Sequence, residues 1–450
     1  MSNSTPRIST THLIRFATIA AGVAILVAPF RGSAGLRGAM LVLAGLAILF
    51  AYLREGQFQQ LLLPYKALVM ATGAWLLAAA LWSFMSPSTL ESLSVVKRDI
   101  LTPILAFMVF YVLTRTRGDI MRWISILTAG LIVLTVMIVR EPFDPQATLQ
   151  ESDYLTVGLL TTWIVTLAPL LSLSLFASRP WRRRAIALAV LALPCLLTSA
   201  WLSGNRTVWV CFAAMVVVAT ALGMRGRTNN SKRWRTSAMV LVLLAVLASF
   251  MFAAMQFRAQ TQAPNGTGPL AFLLHDNRAP ILSVAFEMIG EHPLRGRGYD
   301  NPDIGEIFAS RFDTQWLRNY VHHPHNIVLS YALQMGVTGA LVILVLFAAL
   351  TWTFVRRLRL GGLARLAGLC GVALVVGVFL RNMTDDFFSR HTVQFFGAVA
   401  GMLLGLATHR PPLYARCALN AQAASLHSPA SESVQVSSRP ARRSSIRSGD

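Results

Sequence analysis

Three polar constellations interrupt an otherwise apolar chain, and each holds residue types that can move a proton or bind an anion. The densest is His322-His323-Pro324-His325-Asn326, followed after nine residues by Gly336-Val337-Thr338-Gly339. Pro324 has a fixed φ and biases His323 towards an extended backbone, so the chain turns sharply and sets His325 at the start of the next helical pattern. The positive end of that helix dipole disfavours an imidazolium, which leaves His325 able to take a proton. Simple capping and anchoring of a helix explains the same residues. Three neighbouring histidines also suggest a metal, although the kink at Pro324 keeps all three from facing one ion.

The second constellation is Ser203-Gly204-Asn205-Arg206. Ser203 and Asn205 are good N-caps, and the free amides of a helix start together with a guanidinium make an anion site. An arginine snorkelling to a membrane surface is the plainer account. The third pairs Arg278, at the head of a helical pattern, with Arg295-Gly296-Arg297-Gly298-Tyr299. Its glycines would let the backbone approach a bulky anion flanked by two arginines, and ordinary turn chemistry explains them equally well. A further loop, Arg381-Asn382-Met383-Thr384-Asp385-Asp386, adds two carboxylates where charge is costly unless paired. They can orient Arg206, Arg278 or His325, or simply be solvated. Neither they nor Asp300 and Asp303 form a convincing divalent-cation site, and no Asp-x-Asp signature occurs, so no metal is expected.

The elements that must position these groups follow from composition. Of 450 residues 55% are hydrophobic and only 13% charged, with a mean hydropathy of +0.56, which leaves too little polar surface for a water-soluble globule. A run of about 20 apolar residues crosses a bilayer as a helix. Twelve such runs occur, near 13–30, 33–53, 61–84, 100–114, 119–139, 155–177, 184–201, 207–224, 236–256, 327–355, 364–380 and 392–408. The expected fold is therefore an all-α polytopic membrane protein with about twelve transmembrane helices. The basic excess, 40 − 19 = +21, lies in alternate short loops rather than on one soluble face, which excludes a nucleic-acid partner. Arg115 and Arg117, Arg179 to Arg184, Arg225 to Arg235 and Arg356 to Arg365 mark cytoplasmic loops, so both termini are inside. Arg31, Arg37, Lys97 and Arg98 are exceptions. Cys195, Cys211 and Cys370 fall in apolar runs and Cys417 in the tail, so no disulfide framework or CxxC metal site is available.

Four regions result: helices one to nine in 1–256, an outward loop over 257–326, helices ten to twelve in 327–410, and a Ser-, Ala- and Arg-rich tail over 411–450 read as disordered and cytoplasmic. Within the outward loop one helical pattern begins near Pro280, uses Ile281, Leu282, Ala285, Met288 and Ile289, and ends at Gly290. A second uses Ile304, Ile307, Phe308, Phe312, Trp316 and Tyr320, suited to lie on the outer membrane interface or cap the bundle. No GxxxxGKS loop appears, so an ATP-driven pump is not expected, and no cofactor motif is present.

Several arginines and a histidine at the outward ends of membrane helices suit a lipid-linked diphosphate: arginines neutralise the departing anion while the histidine takes a proton from an incoming hydroxyl. The run His325-Asn326, nine residues, then Gly336-x-x-Gly339 resembles the signature of the O-antigen ligase and polymerase superfamily. Arg278-Ala-Pro-Ile-Leu282 is similar to the family's Arg-x-x-x-Leu element, 291–298 to its Pro-Leu-x-Gly-x-Gly turn, and Arg206 occupies the place of its membrane-edge arginine. The resemblance implies a GT-C-like glycosyltransferase of the bacterial inner membrane, its active site facing the periplasm within one large helix-containing loop. It would move O-antigen from undecaprenyl diphosphate to a sugar hydroxyl of lipid A-core oligosaccharide, inverting and without metal or cofactor. His325 would then be catalytic, Arg206, Arg278, Arg295 and Arg297 would bind the diphosphate, and Asn326, Tyr299, Asp385, Asp386 and His323 would support them. O-antigen and exopolysaccharide polymerases and protein O-oligosaccharyltransferases share the signature; a single large outward loop and a short tail favour a ligase. A lipid-linked oligosaccharide flippase would need charged residues midway through its helices, whereas the polar groups here cluster at helix ends.

Overall fold

The computed structural model describes residues 9–57, 64–140, 151–174, 182–203, 205–224, 230–262, 278–313, 315, 318 and 321–408. Each of the twelve apolar runs is a helix: α1 (Thr10–Leu26), α2 (Ala34–Arg54), α3 (Lys66–Ser83), α5 (Thr102–Leu113), α6 (Arg117–Arg140), α7 (Glu151–Ser174), α8 (Arg182–Leu202), α9 (Arg206–Met224), α10 (Asn230–Gln262), α13 (Ile327–Arg357), α14 (Gly362–Thr384) and α15 (Arg390–Leu406). Three short helices join them, α4 (Thr89–Val96), α11 (Arg278–Glu291) and α12 (Asp303–Ser310). Seven helices, α2, α3, α6, α8, α9, α13 and α14, are long and apolar enough to cross a membrane, and α1 and the middles of α7 and α10 are shorter apolar helices. The protein is an all-helical, multi-pass membrane protein, without a strand among the described residues.

The differences from the sequence reading have local causes. The fourth run is preceded by α4 and a π-helical turn over Lys97–Leu101, and α10 continues six residues past 256. Arg37, an exception to the loop-charge pattern, is buried in α2 with Nε donating to Gln394 Oε1 at 2.8 Å and Nη1 to Ala28 O at 3.2 Å, so it is an internal tie. Arg381 to Thr384 are not a loop but the last turn of α14. The second pattern of the outward loop ends at Ser310, because the chain turns at Arg311; Trp316 and Tyr320 lie outside the described residues, as do the acidic 141–150 stretch and the tail. Phe308 and Phe312 pack with Ile281, Val284, Ala285 and Met288 of α11 and with Val321 and Leu333, a small core seated on the start of α13. Val284, rather than the exposed Leu282, completes the buried stripe of α11.

Two glycine devices set the close approaches. On α15, Gly397, Gly401 and Gly405 recur every four residues, and a Cβ at any of them would strike the carbonyl oxygen of Pro103, Phe107 or Tyr111 on α5; small residues at this spacing let helix backbones touch without lipid between them. On α13, Gly336 adopts φ 64° and ψ −161° and breaks the helix one-third of the way along. The turn over Pro293–Gly298 plugs that break: Val337 N donates to Pro293 O at 2.7 Å, and the amides of Arg297 and Gly298 donate to Leu333 O and Gln334 O at 2.9 and 3.0 Å. Gly296, at φ 60°, faces the Gln334 backbone with no room for a side chain.

Candidate active site at one end of the bundle

The start of α13 is fixed by Asn326, whose Oδ1 accepts from Val328 N at 2.9 Å and Leu329 N at 3.2 Å while its Nδ2 donates to Met383 O at 3.2 Å on the last turn of α14. One residue earlier, His325 sits at φ 52°, a left-handed backbone conformation that costs on the order of 1 kcal/mol or more for a residue with a Cβ and is common at functional sites. That strain turns its ring towards α14. His325 Nδ1 lies 2.9 Å from Asp385 Oδ1, just past the end of α14. A carboxylate only accepts, so Nδ1 carries the hydrogen, and in the neutral ring the lone pair is on Nε2.

Asp385 is held in turn by Arg381, which is fully buried. Its Nη2 reaches Asp385 Oδ2 at 3.4 Å, its Nη1 donates to Asp385 O at 3.3 Å, and Nε and Nη2 donate to Thr161 Oγ1 at 3.1 and 2.9 Å. The guanidinium also lies 5.2 Å over the Phe387 ring. A charge so deep is tolerated because nearly every donor has a partner. Asn382 closes the turn, donating to Val378 O at 2.7 Å and accepting from Phe387 N at 2.9 Å. Asp386 Oδ1 accepts from Phe388 N at 3.2 Å, and burial pushes its pKa up from the usual carboxylate value.

His323 stacks on His325 with ring centroids 4.1 Å apart, and its Nδ1 accepts from His325 N at 3.3 Å. Burial, helped by the His325 imidazole, pushes its pKa down to about 3, so it stays neutral near pH 7. His323, His325 and Asp385 offer ligand atoms within 4.8 Å of one another, a set that a small cation could use. Within this set Asp385 bridges His325 and the Arg381 guanidinium, and His323 Nδ1 takes a backbone hydrogen. His322 is exposed and stands apart from this set.

The remaining sequence candidates are distributed around this centre. Arg206 is the first residue of α9, capped by Asn205 Oδ1, which accepts from Thr207 N at 3.0 Å, whereas Ser203 bonds back to Ala200 O at 2.7 Å and closes α8. α9 runs antiparallel to α14, with Gly223 O accepting from Arg365 at 3.2 Å and Met215 against Gly377, so Arg206 comes to the same end of the bundle as Asp385. Arg278 opens α11 and is half-buried. The glycines of the Arg295–Tyr299 turn serve backbone packing, against Gln334 on one side and Ser86 on the other, and Trp82 Nε1 donates to Arg295 O at 2.5 Å. Arg297 pairs with Glu291, which also accepts from Arg311 at 2.7 Å; the Arg295 side chain is exposed. Tyr299 is buried with its ring 6.4 Å from that of Tyr331, and burial raises its pKa well above the usual phenol value. Nearby Asp300 is pushed up to about 6 by burial, with Asp99 and Glu91 adding to the rise.

Residues 191–344, from within α8 to the middle of α13, match the family model described as O-antigen ligase. No curated protein matches the chain. The matched segment contains Arg206, Arg278, the 291–298 turn, His325 and the Gly336 break, but stops short of Arg381 and Asp385. Sequence reasoning placed Asp385 among the groups able to orient His325; it did not give Arg381 or Thr161 a role. The i, i+4 spacing of Arg381 and Asp385 was a usable signal, since one helical turn brings them together. Thr161, in the middle of an apolar run, carried none. Beside the centre, an apolar cavity of about 200 Å³ lies between α3, α5, α13 and α15, with Trp75, Phe107, Leu346, Phe388 and Phe396 in its wall.

Proposed function

We propose that this protein is an O-antigen ligase: it transfers O-antigen from undecaprenyl diphosphate to a sugar hydroxyl of lipid A-core oligosaccharide on the periplasmic side of the inner membrane, with both termini cytoplasmic. The observation that carries the reading is the His325–Asp385–Arg381 chain at one end of the helices, in which the 2.9 Å contact engages His325 Nδ1 and makes Nε2 the ring nitrogen able to take a proton. The acceptor hydroxyl loses its proton to Nε2 as its oxygen attacks the anomeric carbon from the face opposite the diphosphate. The bond from that carbon to the diphosphate oxygen breaks, the diphosphate leaves with the electron pair, and the configuration inverts. Asp385 stabilises the imidazolium that forms, as a carboxylate does in other histidine-based catalysis. Arg206 and Arg278, with the exposed Arg295, neutralise the leaving diphosphate in place of a metal; Arg297 supports the turn through Glu291. The apolar cavity beside Phe388 suits the polyprenyl chain.

The decisive experiment pairs genetics with purified protein. A deletion strain should lose all O-antigen-capped lipopolysaccharide while lipid-linked polymer accumulates, and purified protein should cap rough lipopolysaccharide with synthetic donor in the presence of chelator. A band of single repeats in the deletion strain would make the protein a polymerase, and normal lipopolysaccharide with an unmodified pilin would make it a protein O-oligosaccharyltransferase. Activity lost with chelator and regained with Mg²⁺ or Mn²⁺ would assign His323, His325 and Asp385 to a metal instead.

A further inference from the structure

The opposite end of the bundle holds a second polar cluster that the transfer reaction does not use. Four helix ends meet there. Arg115 lies in the link between α5 and α6 with its guanidinium 4.5 Å over the ring of Tyr111, in the last turn of α5. Arg357, the last residue of α13, lies 4.9 Å over Tyr65, which precedes α3. The two tyrosine rings are in edge-to-face contact at 6.5 Å, and Tyr65 Oη is 3.0 Å from Thr408 Oγ1 beyond α15. Arg357 Nη2 donates to Tyr65 Oη. Two guanidiniums are thus held over one aromatic cluster, a rigid presentation of charge that a free side chain would lack.

Among the described residues no ion pair includes Arg115 or Arg357, and the neighbouring Asp119 is taken by the amides of Arg115 and Thr116, the Thr116 hydroxyl and Arg122. Both arginines are half-buried. Arg115 Nη1, Arg357 Nε and the hydroxyl of the fully buried Tyr111 have no hydrogen-bond partner among the described residues. Buried donors and buried positive charge without compensation are destabilising, whereas an anion at the outer edge of the two guanidiniums would balance the charge. Arg356 and Arg359 are exposed beside them. Along α13, Trp352 is 54% exposed five residues before Arg357, an amphipathic ring at the depth where a bilayer's headgroups begin.

We propose that Arg115 and Arg357, backed by Tyr111 and Tyr65, bind the phosphate of an anionic phospholipid headgroup, with the acyl chains lying along the lipid-facing side of α13. The site is separate from the transfer site: α13 begins beside His325 and ends at Arg357, and past the break at Gly336 the helix from Val337 to Arg357 alone spans about 30 Å. A phosphodiester supplies two acceptor oxygens and one negative charge, matching two forked donors that have no carboxylate. Basic pockets between membrane helices select anionic headgroups in this way.

The test uses the full chain in lipid nanodiscs, with native mass spectrometry reading the lipid retained and thermal melting reading stability. Wild-type protein should retain phosphatidylglycerol through delipidation and melt higher with it than in phosphatidylcholine alone. The Arg115→Gln/Arg357→Gln pair should hold phosphatidylglycerol about tenfold more weakly or worse, because losing even one charge-assisted hydrogen bond is a tenfold change. The Arg115→Lys/Arg357→Lys pair, which keeps the charge but not the fork, should fall between. Equal retention by wild type and the glutamine pair overturns the proposal, as does a wild type that melts alike in both lipids, a result that needs no variant to fold. Inorganic phosphate is the competing arm: if it alone raises the melting temperature and phosphatidylglycerol adds nothing, the site takes a free anion and not a lipid.

Discussion

The two ends of the bundle handle buried arginine in opposite ways. At the end carrying His325, Arg381 is fully enclosed and meets a carboxylate, a carbonyl, a threonine hydroxyl and a phenyl face. At the other end Arg115 and Arg357 lie on tyrosine rings, and among the described residues neither guanidinium forms an ion pair with a carboxylate. The first arrangement is complete in itself and can only hold something still. What it holds is Asp385, and through Asp385 the ring of His325. The second is incomplete, and an external anion is the group that would complete it. Location along a membrane helix does not decide which role an arginine has; the presence or absence of an internal counter-charge does.

The largest effects should come from breaking the complete end. In the proposed reaction His325→Ala should slow transfer by roughly 10²–10⁴-fold, and His325→Gln should not recover it, since an amide cannot take up the proton. Transfer by His325→Gln at the wild-type rate would remove the base from the mechanism. Asp385→Asn comes next. Its amide can donate to Nδ1 and so favours the tautomer with hydrogen on Nε2, which should cost on the order of 10²-fold or more in kcat while KM for donor changes little. Arg381→Met should lower both rate and stability, because Asp385 loses its buried partner; breaking such a pair is destabilising by about 3–5 kcal/mol. An Arg381→Met protein that melts normally would mean that the guanidinium is not what fixes Asp385.

How much of this was legible in the sequence depended on the distance over which a contact is made. The twelve helices were, because length and apolar composition are local properties. So was the proximity of His325 to a helix start, since Pro324 and Asn326 act on their immediate neighbours. The network behind His325 was only half legible: Asp385 stood among several candidates, and Arg381 looked like a loop residue because the apolar run ended at 380, one turn before the helix does. Thr161 meets Arg381 across 220 positions of chain, a register that no local pattern encodes. For the glycines of the 295–299 turn, ligand approach and ordinary turn chemistry stood level for a related reason. Their partner, the break at Gly336, is a backbone conformation and leaves no side-chain signature beyond the glycine itself.

That break supplies a smaller test of the same comparison. Gly336→Ala places a Cβ at positive φ and against Pro293 O and Leu294, so it should destabilise by about 1 kcal/mol or more and loosen the turn that bears Arg297. Gly73→Ala on α3 meets open space and should leave the melting temperature unchanged or raise it. Equal melting of the two variants would show that the turn is not seated in the helix break.

The smallest expected effect separates the histidines by pH. His323 has a folded pKa of about 3 against about 6.5 in an unfolded chain, so below pH 6.5 the unfolded state takes up a proton that the folded state refuses. The stability this ring contributes is complete above pH 6.5 and is lost progressively as pH falls towards 3. Asp300, with its pKa raised to about 6, acts in the opposite sense: its protonation favours the folded state as pH falls through 6 towards the unfolded carboxylate value. The two partly cancel in the wild-type profile, so the informative quantity is the difference between wild type and His323→Gln, which removes one titration and leaves Asp300 in place. Melting temperatures in detergent should show the variant losing less than the wild type between pH 7 and pH 4.5. Because His323 Nδ1 accepts the His325 amide hydrogen, the glutamine carbonyl can replace that bond and spare the left-handed turn at His325. Parallel acid profiles for the two proteins would mean that His323 is hydrated in the folded state, and that the ring stacked on His325 is open to solvent rather than part of the wall behind the base.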